Sequence, residues 1–379
     1  MKILQVVNQL SVGGTEKTVI KFSQFLNECG EECSIFSFKG GRFTEKAKKA
    51  SQRLVIGDMQ DYLNLLIDLC PDIVHIHRGG WQDDHFIIPY LEYKKRNFGK
   101  SCLFETNIFG DIDRGGLGGN IDYHLFVSEY IKSVYENSCE KQFLKDRSRY
   151  LRLYNPISHM NDYTSQDKSV YKNELRKIYQ IPDSQILALR MGRAANFFGI
   201  SVQATKYLIE NNYDIRILSF GTPKEMKETM RGIDRFIFSD DYVYDEERLN
   251  LVYAGCDVLI HDRIDGETFG MVIAESMMNK TPVVTHVSTK YQGQIETMSG
   301  DWRTPVTMRE TPSNLIKIRN DFKEMDGGYI VGMSDYESYA KCILKSLTHD
   351  REKCHKRALN YETFTIGCEL ISHYERAFS

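Results

Sequence analysis

The chain alternates, twice over, short runs of β-branched and aromatic residues with stretches whose apolar residues recur at helical spacing, and this restricts its fold more than any other feature. Ile3–Val7 is followed by a glycine turn and by Thr18–Asn27, where Val19, Phe22, Phe25 and Leu26 share a helical face. Cys33–Phe38, Asp72–Ile76, Cys102–Thr106, Tyr123–Val127 and Tyr150–Tyr154 read as further strands. Strands separated by helices predict a parallel sheet covered on both faces. Asn155-Pro156 and the polar, non-periodic Ser158–Lys168 interrupt the pattern. It resumes with strands at Ile186–Met191, Asp214–Phe220, Arg235–Phe238, Asp257–Ile260 and Pro282–Thr285, interleaved with helices at 202–209, 246–254 and 270–278. The expected architecture is α/β, with two doubly wound Rossmann-like domains spanning residues 1–157 and 158–361. Closing helices are expected at Tyr336–Leu347 and Ile366–Phe378, the last of them, within 362–379, packing back on the first domain. Ligands of such folds bind beyond the carboxyl ends of the strands, so the site is expected in a cleft between the domains.

A length of 379 residues suits two domains better than one core. The net charge of −3 argues against a protein that coats nucleic acid, which needs a strong basic excess. Lys46-Ala47-Lys48-Lys49 reads as a solvated helix face, or else as a weak peripheral contact with an anionic membrane or polymer. The apolar start, Met1 to Val7, is too short for a signal peptide and is interrupted by Gln5. No stretch reaches the roughly 18 apolar residues that span a bilayer. Nine scattered cysteines without a C-x-x-C pair read as reduced thiols, which suits a cytoplasmic protein.

The chemistry concentrates in Gly266-Glu267-Thr268-Phe269-Gly270-Met271-Val272-Ile273-Ala274-Glu275. A buried strand ends near Ile260, a loop carries Glu267, and a helix is expected to start near Gly270. Backbone N–H groups from Phe269 to Val272 then lack intrahelical partners at the positive end of the helix dipole, a cradle for a diphosphate. Two carboxylates beside an anion site would repel phosphate, so Glu267 and Glu275 read as acceptors of hydroxyl hydrogen bonds. A nucleotide sugar carries such hydroxyls on either side of its diphosphate.

This segment resembles the E-x7-E motif of retaining GT-B glycosyltransferases, especially glycosyltransferase family 4. The resemblance implies that Glu267 contacts the donor sugar, that Glu275 contacts the ribose, and that Thr268, Phe269, Gly270, Met271 and Val272 meet sugar and diphosphate. Gly13 and Gly14, after the first strand, resemble the family's glycine turn, where the donor phosphate and the acceptor approach. Met191-Gly192-Arg193 resembles its Gly-Arg step, in which the guanidinium holds the diphosphate. Gly221 matches a glycine turn near the base, Asn155-Pro156 the step closing the first domain, and Tyr291–Glu296 the later Gly-x-x-Glu segment.

The sequence also departs from the family. Phe198 stands where a lysine is usual, and Asn107 where a histidine is expected near the reacting centre. Asn107 is expected there as a hydrogen-bonding group without acid–base capacity, with His77 on the acceptor side.

A metal is not expected. His75, His77, Asp83, Asp84 and His85 lack the spacing of a binuclear site, and Asp111-Ile112-Asp113 lies in a glycine-rich loop that reads as an acceptor-side element. The implied activity is metal-independent transfer, with retention, from a UDP- or GDP-linked sugar to a glycan, polysaccharide or glycolipid. Glu267, Arg193 and Asn107 are its catalytic candidates, and no cofactor is needed. The alternatives are a non-catalytic nucleotide-sugar-binding protein on the same fold and a GT-B nucleotide-sugar epimerase.

Overall fold

The computed structural model describes residues 1–97, 101–138, 146–158, 165–192, 198–222, 224–239, 243, 245–303 and 322–378. The chain divides into two units, one formed by Met1–Pro156 with Tyr361–Ser379 and the other by Ile157–Asn360.

In the first unit the strands are β1 (Lys2–Gln9), β2 (Glu32–Lys39), β3 (Leu54–Ile56), β4 (Ile73–Arg78), β5 (Cys102–Asn107), β6 (Tyr123–Phe126) and β7 (Tyr150–Arg152). Helices α1 (Gly14–Glu28), α2 (Thr44–Ala50), α3 (Met59–Leu69), α4 (Asp84–Asn97) and α5 (Glu129–Ser138) connect them. The sheet is parallel, in the order β3-β2-β1-β4-β5-β6-β7, the doubly wound arrangement with β1 inside. Ile3 to Val7 are all buried, as expected of a strand covered on both faces.

The second unit opens with α6 (Ser165–Ile178) and carries β8 (Ile186–Met191), β9 (Ile215–Phe220), β10 (Phe236–Ser239), β11 (Val258–Ile260), β12 (Val283–His286), β13 (Lys323–Met325) and β14 (Gly328–Val331). Its remaining helices are α7 (Ile200–Glu210), α8 (Lys224–Thr229), α9 (Glu246–Gly255), α10 (Met271–Met278), α11 (Gly293–Ser299), α12 (Tyr336–Ser346) and α13 (Arg351–Ala358). The sheet order is β10-β9-β8-β11-β12-β14-β13, parallel except for the β13 edge. Its core joins Ile217, Val258, Ile260 and Val284 of the sheet to Leu208 of α7 and Ile343 of α12.

The last helix, α14 (Thr363–Glu375), returns to the first unit and packs on α1. Phe364 meets Phe25 edge-on with ring centroids 6.0 Å apart. Tyr374 reaches the sheet, where its hydroxyl lies 2.7 Å from His75 Nδ1 and accepts a 3.0 Å bond from Gln5 Nε2. Among the described residues no helix is long and apolar enough to cross a membrane.

Candidate functional site

The residues singled out in the second unit gather at the carboxyl edge of one sheet. Gly192 follows β8, Gly221 follows β9, and the Glu267 loop follows β11, on three adjacent strands. Arg193 lies outside the described residues.

The Glu267 loop is held from several directions. Glu267 Oε1 lies 3.0 Å from His261 Nε2, and Oε2 accepts a 3.2 Å bond from Arg263. Its backbone N–H donates to Gln294 Oε1 at 3.0 Å, and its carbonyl accepts from the Gly293 N–H at 2.7 Å. Burial works to raise the Glu267 carboxyl, but the hydrogen bond from His261 and the Arg263 charge outweigh it and hold the group below the ordinary carboxylate range. Two glycines make this packing possible. A Cβ on Gly266, whose φ is +68°, would lie 2.0 Å from the Tyr291 carbonyl oxygen, and one on Gly293 would lie 2.3 Å from that of Thr268.

Gly270 is the N-cap of α10, and no side chain caps that end. The first-turn N–H groups of Met271 and Val272, where an anion cradle is expected, are therefore left without a side-chain cap. Glu275, one turn further on, is buried and accepts a 2.9 Å bond from the Tyr253 hydroxyl.

Behind the loop lie residues that the sequence reading missed. Arg190 donates to the carbonyls of Phe220 and Gly221 at 3.3 and 3.1 Å and stands 3.7 Å from Asp262. Ser201 donates to the same carboxylate at 2.5 Å. The run His261-Asp262-Arg263, polar directly after an apolar strand, was the available signal. Phe198, at the usual lysine position, packs on the core, its ring centroid 5.0 Å from that of His286. Its N–H donates to the Asp262 carbonyl at 3.1 Å.

Gly13 and Gly14 lie beyond the carboxyl end of β1 in the first unit, Gly13 as the N-cap of α1. Two expectations there need correction. His77 does not line an open surface: it is buried, stacked on His75 at 4.2 Å, and its Nε2 lies 2.6 Å from Gln5 Oε1. Burial pushes its imidazole down to about 3, so it stays neutral. Asn107 is not aimed at a reacting group. It donates to the Asp111 carbonyl at 2.9 Å and accepts from the Gly110 N–H at 2.8 Å, which commits both polar ends to its own loop. Asp113 is bonded to Arg78 at 3.0 Å. Among the described residues no cluster of three or more His, Cys, Asp or Glu is placed to hold a metal.

Residues 189–304, which contain this loop, match the family model described as glycosyl transferases group 1. The fold is that of GT-B glycosyltransferase structures, two Rossmann-like domains in one chain. A glycosyltransferase from Rickettsia africae matches with a TM-score of 0.74 and 15% identity, over 100% of this chain and 99% of that one. Anabaena Alr3699/HepE in complex with UDP-glucose matches at 0.72 and 14%, over 99% and 100%. The catalytic domain of starch synthase IV from Arabidopsis thaliana, bound to ADP and acarbose, matches at 0.65 and 12%, over 100% and 99%. A search of curated protein sequences finds no match.

Proposed function

We propose that this chain is a retaining glycosyltransferase that takes its sugar from a UDP- or GDP-linked donor without a metal. The observation that carries the reading is the pinned Glu267 loop running into the uncapped start of α10, inside the segment matching group 1 glycosyl transferases. Relatives of the same fold captured with UDP-glucose and with ADP support a nucleotide-sugar donor. In this reading the first-turn amides of α10 and Arg193 balance the charge that develops on the leaving diphosphate. Glu267, kept ionised by His261 and Arg263, orients the sugar hydroxyls, and Glu275 takes the ribose. The leaving diphosphate accepts the acceptor proton, so the mechanism does not depend on a side-chain base. The acceptor, a glycan or lipid-linked sugar, falls to the first unit.

Two experiments test the diphosphate contacts. Donor affinity is expected to be the same with and without excess chelator, and a loss of more than about tenfold, roughly 1.4 kcal/mol, would restore a metal role. Arg193→Ala should weaken UDP about 10- to 150-fold and uridine hardly at all, since a hydrogen bond to a charged group contributes roughly 1.5–3 kcal/mol. Equal UDP affinity in variant and wild type would remove Arg193 from the site.

A second reading, a nucleotide-sugar-binding protein without transfer, is favoured by Phe198 packed into the core and by Asn107 committed to its own loop. Donor binding without release of free nucleotide, across a panel of saccharide acceptors, would select it.

A further inference from the structure

A cavity of about 490 Å³ opens in the first unit, lined by Arg78, Glu105, His124, Tyr150 and the loop from Asp111 to Gly119. Three of these belong to one ladder. Glu105 of β5 stands opposite His124 of β6, which stands opposite Tyr150 of β7. Side chains on a doubly covered parallel sheet are ordinarily apolar, yet this face carries a buried carboxylate, an imidazole and a guanidinium. Glu105 is 1% exposed. Its Oε1 accepts a 2.6 Å bond from Arg78, and its Oε2 lies 2.5 Å from His124 Nδ1. Arg78 also donates to Asp113 at 3.0 Å and to the Trp81 carbonyl at 2.8 Å, which ties the glycine-rich loop to the cavity wall.

One group in this network is unused. His124 is 9% exposed, and its Nδ1 is taken by Glu105. Its Nε2, on the other side of the ring, has no hydrogen-bond partner among the described residues, and the side chain lines the cavity. The buried and half-buried charges around it are engaged, whereas Asp111, Arg114, Asp146 and Arg149 are exposed. Glu105 and Asp113 face Arg78, Asp122 accepts from the Leu103 N–H, and Asp146 accepts from the Ser148 N–H.

We propose that this cavity is a separate binding site for a neutral, hydroxyl-rich ligand, a mono- or disaccharide unit, with His124 Nε2 as its central hydrogen-bonding group. The volume falls within the range of small-molecule pockets, about 300–1,000 Å³. Acidic side chains outnumber arginines five to three among the described lining residues, which disfavours phosphates and other anions. Arg78, Glu105 and Asp113 are paired with one another and Asp111, Arg114, Asp146 and Arg149 are exposed, so inside the cavity an imidazole nitrogen, the backbone of a glycine loop and a tyrosine-lined wall remain, and these suit sugar hydroxyls better than a cation. The site does not depend on the donor reading, and its test contains no nucleotide.

The test is saturation-transfer NMR and calorimetry on the full chain with free glucose, galactose, mannose, N-acetylglucosamine and maltose, and with spermidine as the cationic comparison. His124→Asn keeps a donor for Glu105 at the position of Nδ1 and removes the atom at Nε2. Ser138→Trp, at the exposed end of α5, fills the cavity from its mouth without disturbing the ladder. At least one saccharide should bind the wild type, and both variants should weaken it by about tenfold or more at unchanged melting temperature. Saccharide binding unaffected by Ser138→Trp would overturn the proposal, as would binding of spermidine alone. Absence of saccharide binding at millimolar concentration would overturn it too, and would leave the donor reading untouched.

Discussion

Glu105→Ala should destabilise the first unit by about 3–5 kcal/mol, because it leaves a buried guanidinium and a buried imidazole without their shared anion. Arg78 keeps Asp113 and the Trp81 carbonyl but loses its 2.6 Å contact, and His124 loses the carboxylate at its Nδ1. Burial alone would raise the Glu105 carboxyl, whereas the Arg78 charge and the His124 hydrogen bond bring it below its ordinary value. A carboxyl so lowered adds stability at pH values above its unfolded pKa, about 4.3 for a glutamate, and loses it as pH falls through the folded value. The wild-type first unit should therefore weaken on acidification more steeply than Glu105→Ala. Urea unfolding followed by Trp81 fluorescence in a Trp302→Phe background measures both effects, since these are the two tryptophans of the chain. Using one reporter in the first unit also avoids treating two units as a single two-state transition. A change below about 1 kcal/mol, the value of an ordinary exposed ion pair, would show that the cluster is solvated rather than buried.

This cluster shows where reading the sequence runs out. The apolar runs of β1, β8 and β11 are strands on any register, because both their faces are covered. The three-residue edges β3 and β13 carry no such signal. Leu54–Ile56 is short, Lys323–Met325 is mostly polar, and pairing to β2 and β14 defines them as strands. Glu105, Arg78 and His124 are unremarkable one at a time, and only the registers of β4, β5 and β6 bring them together. The same limit explains His77. Alternation places it on one face with His75, but Tyr374, which closes that face, comes from the far end of the chain. The Glu267 segment was legible because its strand, loop and helix start are consecutive. Its neighbours Gln294 and Gly293 were visible only as part of a resemblance, since the contacts that pin Glu267 cross from α11.

If Glu267 orients the donor sugar, Glu267→Ala should depress transfer about 100- to 1,000-fold, the cost of removing one preorganised hydrogen-bonding group from an active site. Affinity for free UDP should stay nearly intact, because that residue faces the sugar in this reading. Glu275→Ala should instead weaken UDP and UDP-sugar by similar factors, through loss of roughly 1–3 kcal/mol. Glu267→Gln is the informative companion. It keeps the shape and an acceptor oxygen toward Arg263, but its amide no longer offers two carboxylate oxygens to His261 and Arg263. Transfer by Glu267→Gln should fall between that of wild type and alanine. The wild-type carboxyl lies below the ordinary range, so acidification to about pH 5 should not silence transfer through this group. Melting temperature and circular dichroism separate these effects from unfolding, since Glu267→Ala also releases His261 and Arg263 at a buried edge. Normal transfer by a folded Glu267→Ala would remove the residue from the reaction. Loss of UDP binding in that variant would move Glu267 to the nucleotide, and with it the assignment of which carboxylate holds the sugar.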